Sequence, residues 1–129
     1  MTDRKKPTEA ELAILRVLWT RGPSTVREVA EQMGREGAYT TVLKLLQIMT
    51  DKQLVARDES DRTHIYQARF GEAETQRQLV DDLADRAFGG SAMQLVMRAL
   101  DGRQTSQADL AEIRRLLDEH DRNADGGKR

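Results

Sequence analysis

The segment that decides the fold is residues 37–52, "GAYTTVLKLLQIMTDK", because its apolar residues recur with the period of an α-helix. At 100° per residue, one arc of about 100° holds four apolar side chains, which are Val42, Leu45, Leu46 and Met49. The opposite arc is polar and carries Thr40, Lys44, Gln47 and Asp51. The spacing therefore predicts a helix over Tyr39–Lys52 that packs one face on a core and leaves the other face free.

The polar face of this helix has two interpretations. Lysine can donate to guanine, glutamine can pair with adenine, and a neighbouring leucine can touch a thymine methyl group. The same pattern also fits an ordinary solvated helix face with Leu43 and Ile48 at its edges, and the helical wheel alone favours neither interpretation. The candidates for DNA contact on this helix are Tyr39, Thr40, Thr41, Leu43, Lys44 and Gln47.

The neighbouring segments predict the rest of an N-terminal domain. "TEAE" at residues 8–11 is a capping box that opens a first helix. Gly22-Pro23 ends that helix, and Ser24 is the predicted N-cap of a second helix, "TVREVAEQM". Beyond residue 52, "LVARDE" and "THIYQARF" favour strands joined by a turn at "SDR". Three helices followed by a hairpin is the order of a winged helix-turn-helix domain, which favours recognition by the third helix.

Five further side chains outside the third helix are candidates for DNA contact. Ser24 and Thr25 open the second helix, where hydroxyls and backbone amides can hold a phosphate, although capping alone also explains them. Arg57, Arg62 and His64 lie on or near the hairpin, where a wing can reach the DNA backbone. A solvated turn charge is the alternative for Arg62, and packing or hydrogen bonding is the alternative for His64.

The C-terminal half is helical and predicts self-association. Three short helices, each with one apolar face, would leave much apolar surface in water in a single chain. We expect a homodimer, although the same residues could form an intramolecular core. The predicted dimer contacts are Leu79, Leu83, Phe88, Leu95, Val96, Leu110, Ile113 and Leu117. The predicted fold is mainly α with a small β hairpin, with a winged-helix domain over 1–70, a helical dimerisation region over 71–122 and a disordered tail over 123–129.

Composition limits the chemistry available to this chain. Among 129 residues there is no cysteine, which excludes disulfides, thiolate catalysis and cysteine-bound metals. The two histidines, His64 and His120, lack the spacing of metal ligands, and no glycine-rich phosphate loop occurs. We therefore expect no enzyme activity, no catalytic residue and no cofactor. No signal peptide or membrane-spanning segment is recognisable, so a cytoplasmic location without membrane insertion is expected. Residues 1–70 carry a net charge of +2 and residues 71–129 a net charge of −3.

Four quoted segments resemble the BlaI/MecI family of penicillinase-type repressors, over about Pro7 to Leu117. They are "PTEAELAILRVLW", "TVREVAEQM", "AYTTVLKLLQIMTDKQLVARDESDRTHIYQA" and "FGGS". The resemblance implies a cytoplasmic repressor that binds inverted-repeat operators as a dimer. It places the recognition helix on Tyr39–Lys52 and the wing on Val55–Ala68. It also implies a membrane metallopeptidase sensor, or a protease downstream of that sensor, as a partner that relieves repression by proteolysis.

Two departures from the family separate this chain from known branches. Arg98-Ala99 stands where staphylococcal members carry the cleaved Asn-Phe pair, so cleavage at this bond is not predicted. The copper-responsive branch has a C-terminal cysteine cluster, which this chain lacks.

Two other functions are compatible with a winged helix. A protein-interaction module would be expected to have an acidic or strongly apolar third helix. A ligand-responsive regulator of the MarR or PadR kind would need a cavity that this aromatic-poor chain, with 4% aromatic residues, does not obviously offer.

Overall fold

The computed structural model describes residues 5–34, 38–102 and 104–127 and, within them, six helices and one two-stranded antiparallel sheet. The elements in chain order are α1 (Glu9–Arg21), α2 (Val26–Gln32), α3 (Ala38–Asp51), β1 (Val55–Asp58), β2 (Ile65–Ala68), α4 (Glu72–Ala87), α5 (Ala92–Gly102) and α6 (Gln107–Gly127). This mainly helical fold with one hairpin confirms the predicted fold class.

Helix α1 begins and ends where the sequence predicts. The Thr8 hydroxyl accepts from the Glu11 amide and the Glu11 carboxylate accepts from the Thr8 amide, which completes the capping box. At the other end, Gly22 adopts φ 94° and ψ −171°, and its amide donates to the Leu18 carbonyl. This backbone conformation is essentially restricted to glycine, so Gly22 ends the helix for a conformational reason.

The start of α2 differs from the prediction, because Thr25 and not Ser24 is its N-cap. Thr25 forms a second capping box with Glu28. Ser24 is 1% exposed, and its hydroxyl donates to the Gly22 carbonyl at 2.8 Å. Its backbone exchanges two hydrogen bonds with Tyr66, which fixes the start of α2 against the hairpin. Ser24 therefore stabilises the fold, and at 1% exposure it is too buried to contact a phosphate.

The hairpin follows α3 after a tight turn and pairs in a simple antiparallel register. Gln53 has φ 64°, and the Leu54 amide donates a hydrogen bond to the Met49 carbonyl at 2.9 Å. The paired residues are Val55 with Ala68, Ala56 with Gln67, Arg57 with Tyr66 and Asp58 with Ile65. The core is formed by Ile14, Leu15, Leu18, Val26, Val29, Ala30, Val42, Leu46, Met49, Leu54, Val55 and Tyr66. Because α3 and the wing share this core, their exposed faces are held in a fixed relation.

The C-terminal helices are separated by a glycine turn and a serine cap. Gly89 and Gly90 both have positive φ after α4, and the Ser91 hydroxyl accepts from the Gln94 amide at the start of α5. The Ser106 hydroxyl accepts from the Asp109 amide at the start of α6. Helix α6 continues to Gly127 and so includes residues 123–127 of the predicted disordered tail. Disorder of this tail stays a prediction, and residues 128 and 129 lie outside the described residues. No glycine or proline interrupts that helix before residue 126.

The chain divides into two compact units, Met1–Asp82 and Leu83–Arg129. The sequence predicted this division after residue 70. The difference arises because the first part of α4 belongs to the first unit, where Lys6 Nζ lies 2.5 Å from Asp82 Oδ2. The sequence predicts where the hairpin ends, but it cannot show with which helices the residues after it pack.

Candidate nucleic-acid interface

Helix α3 has one sealed face and one open face, as its sequence period predicts. Val42, Leu46 and Met49 are at most 1% exposed, and Leu45 is half-buried against the same core. The open face carries the exposed side chains of Tyr39, Thr40, Thr41, Lys44 and Gln47. The helix can therefore present hydroxyl, ammonium and amide groups without disturbing the packing that holds it.

The two apolar residues at the edges of the polar face differ in their surroundings. Leu43 is half-buried and packs against the core cluster, whereas Ile48 is 39% exposed. Leu43 also lines a cleft beside α3. It therefore joins the core to the surface, and only its cleft side is open to a ligand.

The end of α3 is anchored to α1 by an ion pair. Lys52 Nζ lies 2.7 Å from Glu11 Oε1, and the side-chain exposures are 22% and 3%. The same carboxylate oxygen accepts from the Thr8 amide at 2.9 Å. One buried carboxylate thus holds both the first turn of α1 and the residue that follows α3, which limits how α3 can rotate on the core.

A cleft opens between α2, α3 and the wing, and it brings together residues that are distant in the sequence. It is lined by Thr25, Val26, Arg27, Tyr39, Leu43, Arg62, Thr63, His64 and Tyr66. Five of these, Thr25, Tyr39, Leu43, Arg62 and His64, are sequence-predicted candidates. The structure therefore joins predicted residues from three elements in one concave surface.

Arg27 is a member of this surface that sequence reasoning missed. Its guanidinium carbon lies 5.8 Å from the centre of the Tyr39 ring, within the range of a cation–π contact. The available signal was its position directly after the apolar Val26 in the predicted second helix. That signal marks an exposed cation but cannot reveal the contact with α3, which depends on how the two helices cross.

Arg57 lies apart from the other wing candidates. It lines a different depression, with Pro23, Ala56, Asp58, Ile65 and Gln67. Arg57 Nε donates to Glu59 Oε2 at 2.7 Å, and hydrogen bonds to Tyr66 and Glu59 raise the pKa of Arg57. The charge of Arg57 is therefore already paired with Glu59 within the wing. Arg62 and His64, in contrast, line the cleft beside α3.

The first turn of α2 is occupied by its own carboxylate. The Thr25 hydroxyl accepts from the Glu28 amide and the Glu28 carboxylate accepts from the Thr25 amide. Hydrogen bonding to the Thr25 backbone, followed by the neighbouring Arg21, lowers the pKa of Glu28. Thr25 is half-buried at the edge of the cleft, and its hydroxyl is already engaged in capping. Because the hydroxyl only accepts in this bond, its O–H can still donate to a phosphate, and the predicted contact is compatible with capping.

The predicted dimer residues fall into two groups in the C-terminal helices. Leu83, Val96 and Leu117 are exposed by 49%, 48% and 62%. Leu79, Phe88, Leu95, Leu110 and Ile113 are half-buried within the single chain. Exposed apolar residues that sequence reasoning left out of the set are Val80, Met93, Met97, Leu100 and Leu116. Helix α5 thus exposes an apolar seam of Met93, Val96, Met97 and Leu100 with helical spacing.

The described residues contain neither a metal-ligand cluster nor a membrane-spanning helix. No group of three or more histidine, cysteine, aspartate or glutamate side chains among them is placed to hold a metal ion. Within the same residues, no helix has the length and apolar character needed to cross a membrane.

Three helices and a hairpin, with an open polar face on the third helix, define a winged helix-turn-helix regulator. The crystal structure of transcriptional regulator Tm0710 from Thermotoga maritima shares this fold, with a TM-score of 0.51 and 20% identity over 92% of this chain and 79% of that chain. A family model described as "Penicillinase repressor" matches residues 7–119. The chain belongs to the penicillinase repressor family, and the resemblance to BlaI/MecI repressors is confirmed.

Two relatives support this assignment over most of their length. The chain is 36% identical over 115 residues to "Transcriptional regulator BlaI" of Mycobacterium tuberculosis H37Rv, covering 86% of this chain and 82% of that protein. It is 20% identical over 115 residues to "Penicillinase repressor" of Bacillus licheniformis, covering 88% and 90%. The chain is a DNA-binding transcriptional repressor of this family and not an enzyme.

Proposed function

We propose that the chain represses transcription as a homodimer on an inverted-repeat operator, with α3 in the major groove and the wing against the DNA backbone. The observation that carries this proposal is the division of α3, in which Val42, Leu46 and Met49 are sealed while Lys44 and Gln47 are exposed. A helix fixed in this way can enter a groove without losing its packing. Two such helices in a two-fold dimer would meet half-sites about one DNA turn apart.

The base-reading residues in this proposal are Thr40, Thr41, Lys44 and Gln47, and Tyr39 and Leu43 border them. Lys44 has an exposed side chain, and lysine donates to guanine O6 or N7 in the major groove. Arg62 and His64 of the wing approach the backbone, whereas Ser24 is left out because it is buried. Arg57 contributes less than Arg62 because Glu59 already pairs with it.

The proposed dimer uses the apolar seam of α5 together with exposed residues of α4 and α6. Exposed apolar side chains at helical spacing, such as Met93, Val96, Met97 and Leu100, form a continuous surface that a second copy would cover. A closed two-fold pair buries the same surface on both copies. The half-buried Leu79, Phe88, Leu95, Leu110 and Ile113 would support this surface from within each copy.

The proposed partners extend to the signal that ends repression. A cytoplasmic repressor of this family would be inactivated by a membrane metallopeptidase sensor or by a protease downstream of it. Arg98 and Ala99 are both exposed on α5. Their helical conformation would have to open before a protease could cut there, and the Asn-Phe pair cleaved in staphylococcal members is absent from this bond.

DNA from upstream of the chain's own gene tests the operator proposal by fluorescence anisotropy across a salt series. Wild-type protein should prefer an inverted repeat over random DNA and should weaken steeply with salt. Lys44→Ala should lose about 1–3 kcal/mol of that preference. The matched control, Arg16→Ala on the exposed side of α1, should keep it. Equal affinity of wild-type protein for both DNAs would refute the operator proposal.

Sedimentation at micromolar concentration tests the dimer separately. Val96→Glu places a carboxylate in the exposed seam of α5 and should shift the protein to monomer. The matched control is Gln94→Glu, which adds the same charge to an exposed polar position on the same helix. A wild-type protein that sediments only as a monomer would refute the homodimer.

A further inference from the structure

The described lining of the cleft between α2, α3 and the wing is rich in cationic and hydroxyl groups. The nine described residues that line it include Arg27, Arg62 and His64 together with the hydroxyl-bearing Thr25, Tyr39, Thr63 and Tyr66, and none of these nine is a carboxylate. The whole chain has 22 acidic and 21 basic residues. A concave surface in such a chain with arginines and no acid concentrates positive potential at one point.

The two arginines of the cleft differ from four arginines elsewhere in the chain that are paired with carboxylates. Arg21, Arg57, Arg98 and Arg115 each pair with a carboxylate. Within the described parts of the chain, neither Arg27 nor Arg62 has a carboxylate partner. Arg27 is placed instead over the Tyr39 ring. A cation–π contact uses the face of the guanidinium and leaves its N–H groups available in the plane, where they can grip a phosphate with two parallel hydrogen bonds.

The cleft lies directly beside the face of α3 that is proposed to read bases. Tyr39 and Leu43 line the cleft and are one helical turn apart on α3. Thr40, Thr41 and Lys44, their neighbours in the helix, are exposed. An anion in the cleft would therefore sit at the edge of the groove that α3 enters, which is the position of the DNA backbone.

We propose that this cleft seats one phosphate of the DNA backbone in each half-site, with Arg27 as its principal ligand and Arg62 closing it from the wing. The Tyr39 ring is the positioning element that aims the Arg27 guanidinium. This inference rests on the proposed function and adds to it a DNA ligand outside the recognition helix and the wing. Because the contact is to the backbone, it sets the register of α3 on the duplex without selecting a sequence.

The decisive variant is Arg27→Gln, measured on operator and random DNA at several salt concentrations. The loss of a charged hydrogen bond to phosphate should weaken both complexes by about tenfold or more per site. The slope of log affinity against log salt should become shallower by about one per lost phosphate contact. The matched control, Arg16→Gln, removes an equally exposed arginine of α1 and should leave affinity and slope unchanged.

The aromatic support is tested at Tyr39. Tyr39→Phe keeps the ring under Arg27 and should retain the wild-type salt slope. Tyr39→Leu removes the ring and should move the slope towards that of Arg27→Gln. Equal thermal unfolding by circular dichroism shows that these exposed positions have not altered the fold. A Tyr39→Leu slope equal to that of Tyr39→Phe would overturn the positioning role of the ring.

Failure of this inference is distinguishable from failure of the proposed function. If wild-type protein shows no operator preference, the proposed function fails. If wild-type protein prefers the operator and Arg27→Gln has the wild-type slope, the phosphate seat is overturned. Free inorganic phosphate is the other possible ligand with the same chemistry, and it is tested by comparing phosphate with chloride at equal ionic strength. One result would overturn the assignment of the cleft to DNA and assign it to a free anion. In that result, phosphate protects the wild-type protein but not Arg27→Gln against thermal unfolding, and the salt slope of DNA binding is the same for both proteins.

Discussion

Removal of the Lys52 charge should destabilise the N-terminal unit more than removal of the exposed Lys44 charge on α3. Glu11 Oε1 accepts from Lys52 Nζ at 2.7 Å and from the Thr8 amide at 2.9 Å. The Glu11 side chain is 3% exposed and that of Lys52 is 22% exposed. In Lys52→Met the apolar stem remains, but the buried carboxylate keeps only one neutral donor.

The expected magnitude follows from the burial of the two groups. Loss of one partner of a buried ion pair costs about 3–5 kcal/mol. Since water still reaches part of Lys52, we expect about 2–3 kcal/mol for Lys52→Met. Glu11→Gln should cost less, about 1–2 kcal/mol, because its amide oxygen can still accept from the Thr8 amide and the half-exposed ammonium can turn to water. The double variant should cost less than the sum of the two, since both remove the same interaction.

Urea unfolding followed by tryptophan fluorescence measures this prediction, because Trp19 is the only tryptophan and lies in the same unit. The midpoint should fall at an unchanged slope if only stability has altered. Lys44→Met is the matched control on the open face of α3 and should change stability by less than about 0.5 kcal/mol. The reasoning is refuted if Lys52→Met resembles Lys44→Met, or if the two losses at residues 11 and 52 are additive.

Three further changes test other parts of the first unit. Trp19→Phe removes the indole bond to the Phe70 carbonyl and should cost about 1 kcal/mol in chemical unfolding followed by circular dichroism. Gly22→Ala should cost about 1–3 kcal/mol because of φ 94°, whereas Gly102→Ala should be neutral. The pKa of Glu28 is lowered in the folded protein, so its ionised form stabilises the fold at pH values above the ordinary glutamate pKa. This stabilisation is lost as pH falls through the lowered pKa. The stability difference between the wild type and Glu28→Gln should therefore shrink as pH falls below about 4.5 and through the lowered pKa of Glu28.

The sequence predicted α3 well because local period alone determines which of its faces is apolar. The four residues of the predicted inward arc are the ones that pack on the core, and the hairpin follows in the predicted order. The start of α2 was assigned wrongly although its signal was present. Residues 25–28, "TVRE", repeat the capping-box pattern of "TEAE" at 8–11. The burial of Ser24, in contrast, depends on its pairing with Tyr66, which no local pattern reports.

The cleft could not be predicted for the same physical reason. Its members come from α2, α3 and the wing, and the contact of Arg27 with Tyr39 exists only because two helices cross at that point. The split of the C-terminal apolar residues is similar. A helical stripe identifies Leu110, Ile113 and Leu117 together, but only the packed structure shows that Leu117 is exposed and the other two are half-buried.

The charge of this chain explains why dimerisation and the cleft would act together. The proposed interface of each copy contains three cations that lack a carboxylate partner within the described residues, which are Arg27, Lys44 and Arg62. Each phosphate neutralised contributes about 0.9 to the salt slope, so one copy would reach a slope of at most about 3. A dimer that engages both half-sites would double that slope. Operator affinity would therefore be high only when two copies are paired through the α5 seam. Weakening the seam with Val96→Glu should therefore lower operator affinity even though residue 96 lies outside the unit Met1–Asp82 that contains the proposed interface.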